Sequence, residues 1–377
     1  MMKLILAGIL FLVPVLGLTD TEGQAGSAKT ETATEQMIRE RGLRESSVAS
    51  RDLPGWQPSN KILVSVLPWE KLSDYQAVAP GVEFIAVENV EEAVKHAPGA
   101  QAIIGMCSEE VFAAEPRLQW VQVYWAGVER CVVHEGIQKD NMLLTNGQKL
   151  GSPALAEHAI AMMMMLARGL DVYHTNQLKG SWKRNTGLER SDHMELAGGT
   201  VLVVGLGGIG TQVAKRAYGL GMHVIATRNS RREGPDYVEY VGLADELNEL
   251  ASRADVVINT APLTDKTRAI FNTTFFDAMK PEAFFISVGR GGSTVTDDLV
   301  NALQQGSIAG AGLDVTDPEP LPEGHPLWSM PRVIISPHTA GRSDQTINRL
   351  SLMVRENLRR YVAGEPMLSV VDVERGY

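Results

Sequence analysis

The stretch Val201–Gly210, VLVVGLGGIG, restricts this chain more than any other. Four apolar residues run into Gly205, Gly207 and Gly210, spaced G-x-G-x-x-G. That pattern is a buried strand, a tight turn and the start of a helix. Gly205 allows the turn, Gly207 lets the backbone approach a pyrophosphate, and Gly210 lets the helix pack close to the strand. The helix N-terminus, with Gly208 and Ile209 in its first turn, then faces the phosphates. Glycines also gather in ordinary loops, but here both flanks have the right form. Thr211–Tyr218 sets Val213, Ala214 and Ala217 on one helical face, and His223–Thr227 reads as the next strand. The stretch therefore predicts dinucleotide binding.

The 377 residues are enough for two domains with their own cores. A formal net charge of -10 argues against non-specific nucleic-acid binding. Cys107 and Cys131 are too few for a zinc site or a disulfide framework, and no metal is expected. Each cysteine is expected as a free thiol packed like a small apolar residue, with a disulfide reserved for an exported protein.

Residues 1–25 read as a signal peptide or an N-terminal anchor. Met1-Met-Lys3 precedes the apolar run Leu4–Leu18, which is short for a membrane span, and Gly23 and Ala25 are spaced like a cleavage site. Any membrane contact is expected through this segment alone. Residues 26–58, rich in Thr, Glu, Ser and Gly, read as a polar linker with one helix around Thr34–Arg44.

From there strands and helices alternate. Residues 59–153 carry strand patterns at Ile62–Leu67, Glu83–Val87, Ala102–Met106, Leu118–Tyr124 and Met142–Thr145. Ser152-Pro153 then opens an apolar helix as cap and first turn, with Met162 to Met165 in a row. A helix apolar almost all round is buried in its own chain or against a partner, which suggests a homodimer. Residues 154–340 continue with strand patterns at Tyr237–Val241, Asp255–Thr260, Ala283–Val288, Ile308–Leu313 and Arg332–Ser336. Residues 341–377 hold a long amphipathic helix that returns the chain to the first domain, with hinges near Gly151 and Gly341. The expected fold is α/β: a Rossmann-type doubly wound parallel sheet over 154–340, plus a smaller flavodoxin-like α/β substrate domain over 59–153 and 341–377.

An NAD site places a carboxylate after the second strand, where it accepts hydrogen bonds from the ribose 2′-OH. Here Arg228, Asn229, Ser230, Arg231 and Arg232 occupy that turn. Three guanidiniums and a hydroxyl stand ready for a 2′-phosphate. A charge-assisted hydrogen bond contributes about 1.5–3 kcal/mol, so two arginines decide the preference. NADP(H) is expected over NAD(H).

Several motifs now fall in order. Ala156-Glu-His158 opens the interdomain helix, and Gly205–Gly210 forms the cofactor loop. Ala261-Pro-Leu-Thr264 is followed by Thr267. Val288-Gly-Arg290-Gly291, Asp314-Val-Thr-Asp-Pro-Glu319-Pro320, Pro326-Leu-Trp328 and Ser336-Pro-His338-Thr-Ala-Gly341 complete the series. From about residue 60 to the end, the chain resembles the D-isomer-specific 2-hydroxyacid dehydrogenases, particularly their glyoxylate/hydroxypyruvate reductase branch. The resemblance implies that Arg290 binds the substrate's carboxylate and carbonyl oxygen. It makes His338 the acid–base group and Glu319 its hydrogen-bond partner. Ala126 and Gly127 match the backbone N–H groups that bind the carboxylate, and Asp314 matches an aspartate near the nicotinamide amide. Thr260, Pro262, Thr267, Val288, Gly289 and Ala340 fall at positions that line the cofactor.

The residue types suit the chemistry. Reducing a 2-keto acid needs a hydride at the carbonyl carbon and a proton at its oxygen. Histidine exchanges a proton near neutral pH, and a carboxylate partner fixes its tautomer. Arginine offers a planar, permanent cation for a carboxylate. The resemblance thus implies a small 2-keto or 2-hydroxy acid as the partner. Glutamine replaces Glu319 in a related formate-oxidising branch, which disfavours that activity here. Two alternatives stay open: a dinucleotide-sensing binding protein on the same fold, and a dehydrogenase for an unusual acid such as phosphite.

Overall fold

A computed structural model describes residues 31–58, 60–139, 142–184 and 193–376. The signal or anchor reading of residues 1–25 lies outside the described residues. Among the described residues no helix is long and apolar enough to cross a membrane.

From residue 33 onward, the segment expected as a linker is part of the fold. Helix α1 (Ala33–Arg41) has Glu35 in its first turn and Arg39 and Arg41 in its last, the sense the helix dipole favours. Strand β1 (Glu45–Ala49) follows. Met37, Leu43 and Leu53 are buried in a shared core. These three buried apolar side chains are spaced among polar ones with little periodicity, so the sequence reads as a tether although the backbone is ordered.

The first α/β unit runs through β2 (Lys61–Val64), α2 (Leu72–Val78), β3 (Glu83–Ala86), α3 (Val90–His96), β4 (Ala102–Ile104), α4 (Glu109–Ala114), β5 (Trp120–Gln122) and β6 (Leu143–Thr145). Its five strands are parallel in the order β3-β2-β4-β5-β6, a flavodoxin-like arrangement. Successive side chains face opposite layers. Ile62 and Val64 join a core with Tyr75 and Trp120, while Leu63 joins one with Ala93, Val111 and Phe112.

Adjacent parallel strands bring the loops after β4 and β5 together. Cys107 and Cys131, expected as separate thiols, are bonded to each other there with their Cα atoms 5.8 Å apart. A separation of 24 residues hides this neighbourhood from the sequence.

Helices α5 (Ser152–Ala167) and α6 (Leu170–Leu178) lead into the second unit. Ser152 is not the cap of α5. Gly151 holds that position, and the Ser152 side chain is buried beside the cofactor loop. The second unit comprises β7 (Thr200–Val204), α7 (Gly208–Gly219), β8 (His223–Thr227), β9 (Tyr240–Gly242), α8 (Leu247–Arg253), β10 (Val256–Asn259), α9 (Thr273–Ala278), β11 (Phe284–Ser287), α10 (Thr296–Gln305), β12 (Gly310–Leu313) and β13 (Val333–Ile335). Its parallel sheet has the order β13-β12-β11-β10-β7-β8-β9. Val201, Val203, Val256 and Ile258 pack toward α5 and α7, and Leu202, Val204 and Val257 pack toward α8 and α9. Both faces are covered, as in a Rossmann-type doubly wound sheet. Strand β9 starts three residues later than expected, because a turn joins Val238 N to Pro235 O at 2.9 Å.

Helix α11 (Asp344–Ala363) begins at Ser343, whose hydroxyl accepts from Thr346 N, and ends at Gly364. Leu350, Met353, Val354, Leu358 and Tyr361 join the core of Ile62 and Trp120, so the chain returns to the five-stranded sheet. Strand β14 (Pro366–Leu368) pairs antiparallel with β1. The outgoing and returning connections lie side by side: a Cβ on Gly151 would sit 3.5 Å from the carbonyl oxygen of Gly341.

Candidate active site

The expected site residues, Ala126 and Gly127 apart, collect at the C-terminal ends of the seven-stranded parallel sheet, where a doubly wound sheet binds its ligand. The glycine loop leaves β7. Gly205 has a φ of +91°, and a Cβ on Gly210 would strike the carbonyl oxygen of Gly205. The Thr260 hydroxyl donates to that same oxygen at 2.7 Å and ties the loops after β7 and β10 together. Gly207 caps α7, and a Cβ there would meet nothing within 4 Å. The loop is thus tight toward the protein and open toward the cleft, a form that fits a pyrophosphate. Gly289 continues the packed side, since a Cβ there would lie 2.8 Å from the Ala261 carbonyl oxygen. Val288 is buried. Thr267 donates to the Pro262 carbonyl oxygen at 2.6 Å and accepts from Thr264 N at 2.8 Å, so it closes its own loop.

Arg228 and Arg231 share a cleft with Leu206–Gly208. The Nε of Arg228 is buried without a hydrogen-bond partner among the described residues. Burial, then the charge of Arg231, pulls the Arg228 guanidinium below its ordinary pKa. Two crowded cations are the environment a phosphate relieves. Arg232 does not join them. Its guanidinium is held by Glu246 at 2.7 Å and by the Tyr240 hydroxyl at 2.9 Å, which leaves two guanidiniums for a phosphate and not three. Asn229 and Ser230 are exposed in the same turn.

Arg290 follows β11. Its Nε donates to Glu129 Oε1 at 2.9 Å and its Nη1 to the Gly289 carbonyl oxygen at 2.8 Å. Its other amino group covers Gly127 so closely that no Cβ could stand there. The structure therefore brings Arg290 onto the Ala126–Gly127 loop of the first unit. Asn146 Nδ2 donates to the Ala126 carbonyl oxygen at 2.6 Å, fixing that loop from behind.

His338 follows β13. Its Nδ1 lies 2.5 Å from Glu319 Oε1, which leaves Nε2 for a ligand. The His338 backbone has a φ of 52°, an uncommon conformation for a residue with a side chain. Asp314, buried at the end of β12, holds it there. The Asp314 carbonyl oxygen accepts from His338 N at 2.9 Å. Its carboxylate accepts from Thr339 N at 2.9 Å, Ala340 N at 3.0 Å and the Ser336 hydroxyl at 2.6 Å. Both carboxylate oxygens are engaged by the histidine's own loop, and His158 Nε2 stands 3.9 Å from one of them. His158 Nε2 approaches Ser336 Oγ at 2.8 Å and extends the network to α5.

Some of these groups escape a linear reading. Glu129 is 161 residues from Arg290, and His158 is 178 from Ser336, so no spacing signals either pair. Asn259 is buried and donates to the Ser287 and Ser293 hydroxyls at 3.1 and 2.9 Å, joining the loops after β10 and β11. An asparagine ending an otherwise apolar strand was the one available signal. Tyr124, before the Trp125–Gly127 turn, donates to the Ser65 carbonyl oxygen at 2.8 Å. Burial pushes the Tyr124 phenol well above its ordinary pKa, so it stays protonated as a donor.

The D-isomer specific 2-hydroxyacid dehydrogenase NAD binding domain matches residues 160–340. Over 275 residues the chain is 34% identical to glyoxylate/hydroxypyruvate reductase A of Photorhabdus laumondii, covering 71% of this chain and 84% of that one. It is 30% identical to human glyoxylate reductase/hydroxypyruvate reductase over 72% of this chain and 84% of the other. The structure of the NADPH-dependent glyoxylate/hydroxypyruvate reductase of Sinorhizobium meliloti, in complex with NADP and sulfate, superposes with a TM-score of 0.69. It is 26% identical and covers 84% of this chain and 100% of that one.

Proposed function

The chain belongs to the D-isomer-specific 2-hydroxyacid dehydrogenases, and on that premise we propose that it reduces a small 2-keto acid to the D-2-hydroxy acid with NADPH. Glyoxylate and hydroxypyruvate are the leading substrates, as the names of its relatives suggest. The observation that carries this reading is that the His338–Glu319 pair and Arg290 stand on loops leaving one parallel sheet, at the end that also carries the glycine loop.

The reduced nicotinamide, when bound, supplies the hydride. Arg290 and the N–H groups of Ala126 and Gly127 hold the substrate carboxylate, and Arg290 also polarises the carbonyl. As hydride reaches the carbonyl carbon, the π electrons move onto oxygen. His338 Nε2 delivers a proton there, and Glu319 at Nδ1 holds the ring and balances its charge. Arg228 and Arg231 favour the 2′-phosphate of NADPH.

Two further readings accompany this one. The Cys107–Cys131 bond supports an oxidising compartment, in line with a signal or anchor at residues 1–25. Leu178 and Trp182, 75% and 94% exposed at and just past the end of α6, support a homodimer through this end of the helix.

The test follows NADPH and NADH absorbance with glyoxylate, hydroxypyruvate, pyruvate and a branched 2-keto acid, with His338→Ala alongside. Turnover with NADPH that disappears in the variant is expected. NADPH binding without turnover of any acid would replace the reductase with a dinucleotide sensor.

A further inference from the structure

The cleft of ≈ 430 Å³ in front of the glycine loop has a second wall. Gly207, Gly208 and Thr211 form one side, and Arg39, Arg41 and Gly42 at the end of α1 form the other. Five cations border this space: Arg39, Arg41, Lys149, Arg228 and Arg231. One carboxylate, Glu40, stands among them. In a chain of net charge -10 that is a local reversal of sign, and it faces a helix N-terminus.

Two guanidinium atoms on this cleft, Arg41 Nε and Arg228 Nε, are buried without hydrogen-bond partners among the described residues. A buried donor without a partner is costly unless a ligand completes it. The wall is also fixed in place. Lys149 Nζ donates to the Gly42 carbonyl oxygen at 2.6 Å, β1 pairs with β14, and Met37 and Leu43 sit in the core. The Lys149 contact answers a carbonyl at the end of α1, whose negative pole would otherwise repel an anion.

We propose that α1 closes the cofactor cleft from outside and that Arg41 binds the dinucleotide's phosphates opposite Gly207 and Gly208. The inference rests on the dinucleotide-binding reading above and extends it to a cofactor-binding residue from the segment before the first α/β unit. The ligand chemistry is a phosphate ester or diphosphate. NADH offers the diphosphate alone, and NADPH adds the 2′-phosphate.

The experiment titrates intact protein with NADPH and with NADH, followed by nicotinamide fluorescence. Arg41→Gln, Arg41→Lys, Glu40→Gln and Arg228→Gln are compared with the parent, and each variant's unfolding temperature is recorded without cofactor. Arg41→Gln is expected to weaken binding about tenfold, and Arg41→Lys to recover part of it. Glu40→Gln is expected to tighten binding, a change of opposite sign that a merely structural role of α1 would not produce. An equal loss for both cofactors assigns Arg41 to the diphosphate, and a loss for NADPH alone assigns it to the 2′-phosphate. Unchanged affinity in Arg41→Gln, with Arg228→Gln weakened toward NADPH, overturns the role of α1 and keeps the NADPH reading. A parent protein that binds neither cofactor overturns both.

Discussion

Arg290 and Glu129 meet across the two α/β units, guanidinium Nε to carboxylate Oε1 at 2.9 Å, with side chains 25% and 33% exposed. A carboxylate already lies on the arginine that is proposed to take the substrate's carboxylate. The two anions compete for one fork. A partly exposed pair of this kind contributes roughly 0.2–1 kcal/mol. Glu129→Gln is therefore expected to lower KM for the keto acid about two- to fivefold with kcat nearly unchanged. Steady-state kinetics decide it, and a raised KM would mean that Glu129 positions Arg290 and does not compete.

Glu319 touches His338 and not the space in front of Nε2, so it acts through the ring. Glu319→Gln should lower kcat by about 10–100-fold and leave KM within about twofold, since an acid–base group contributes about 10²–10⁴ in rate and the imidazole itself remains. Glu319→Asp should fall between the two. A large KM effect with intact kcat would remove Glu319 from proton transfer.

The bond between Cys107 and Cys131 spans a separation of 24 residues and closes a loop that contains the Ala126–Gly127 turn. Closure of that length is worth about 3 kcal/mol. Reductant should lower the urea midpoint of the parent protein and leave a Cys107→Ser, Cys131→Ser double variant unmoved. Equal midpoints for the parent with and without reductant would show the bond absent in solution.

Acid should loosen the returning helix. Burial opposes ionisation of Glu356, but hydrogen bonds from Arg359 and Arg360 outweigh it and hold its pKa below 4.5. A depressed carboxyl contributes stability that is complete above about 4.5 and is lost as pH falls through the lower folded value. The stability difference between the parent and Glu356→Gln should be flat above about pH 5 and shrink below it. Urea midpoints at several pH values would show this, and a difference that closes above pH 6 would assign the effect elsewhere.

Trp182 is 94% exposed just past α6, four residues after Leu178 at 75%. Trp182→Asp should shift sedimentation toward the monomer at micromolar concentration while NADPH binding persists. A parent protein that already sediments as a monomer would dispose of the proposed dimer.

Much of this architecture was legible because its signals are local. Val201–Gly210 needs only ten residues to specify strand, turn and helix. Arg290, Asp314 and His338 were legible because each follows an apolar strand at a recognisable motif. The long-range contacts were not. Glu129 gives no sign of Arg290 until the two units meet, and Cys107 gives no sign of Cys131 until β4 and β5 are paired. The segment from Ala33 to Leu53 misled because its order comes from backbone pairing and three buried side chains, which leave almost no hydrophobic period. Arg232 misled because proximity in sequence to Arg228 says nothing of Glu246 and Tyr240.

The pairing of β1 with β14 also orders events during synthesis. Every strand of the seven-stranded sheet has been made once Ile335 leaves the ribosome, whereas the core beneath the five-stranded sheet lacks α11 until residue 363. The first half to be translated is thus the last to be finished. A chaperone that holds the nascent chain would find its exposed apolar surface on Ile62, Tyr75 and Trp120, waiting for Met353 and Tyr361 to arrive.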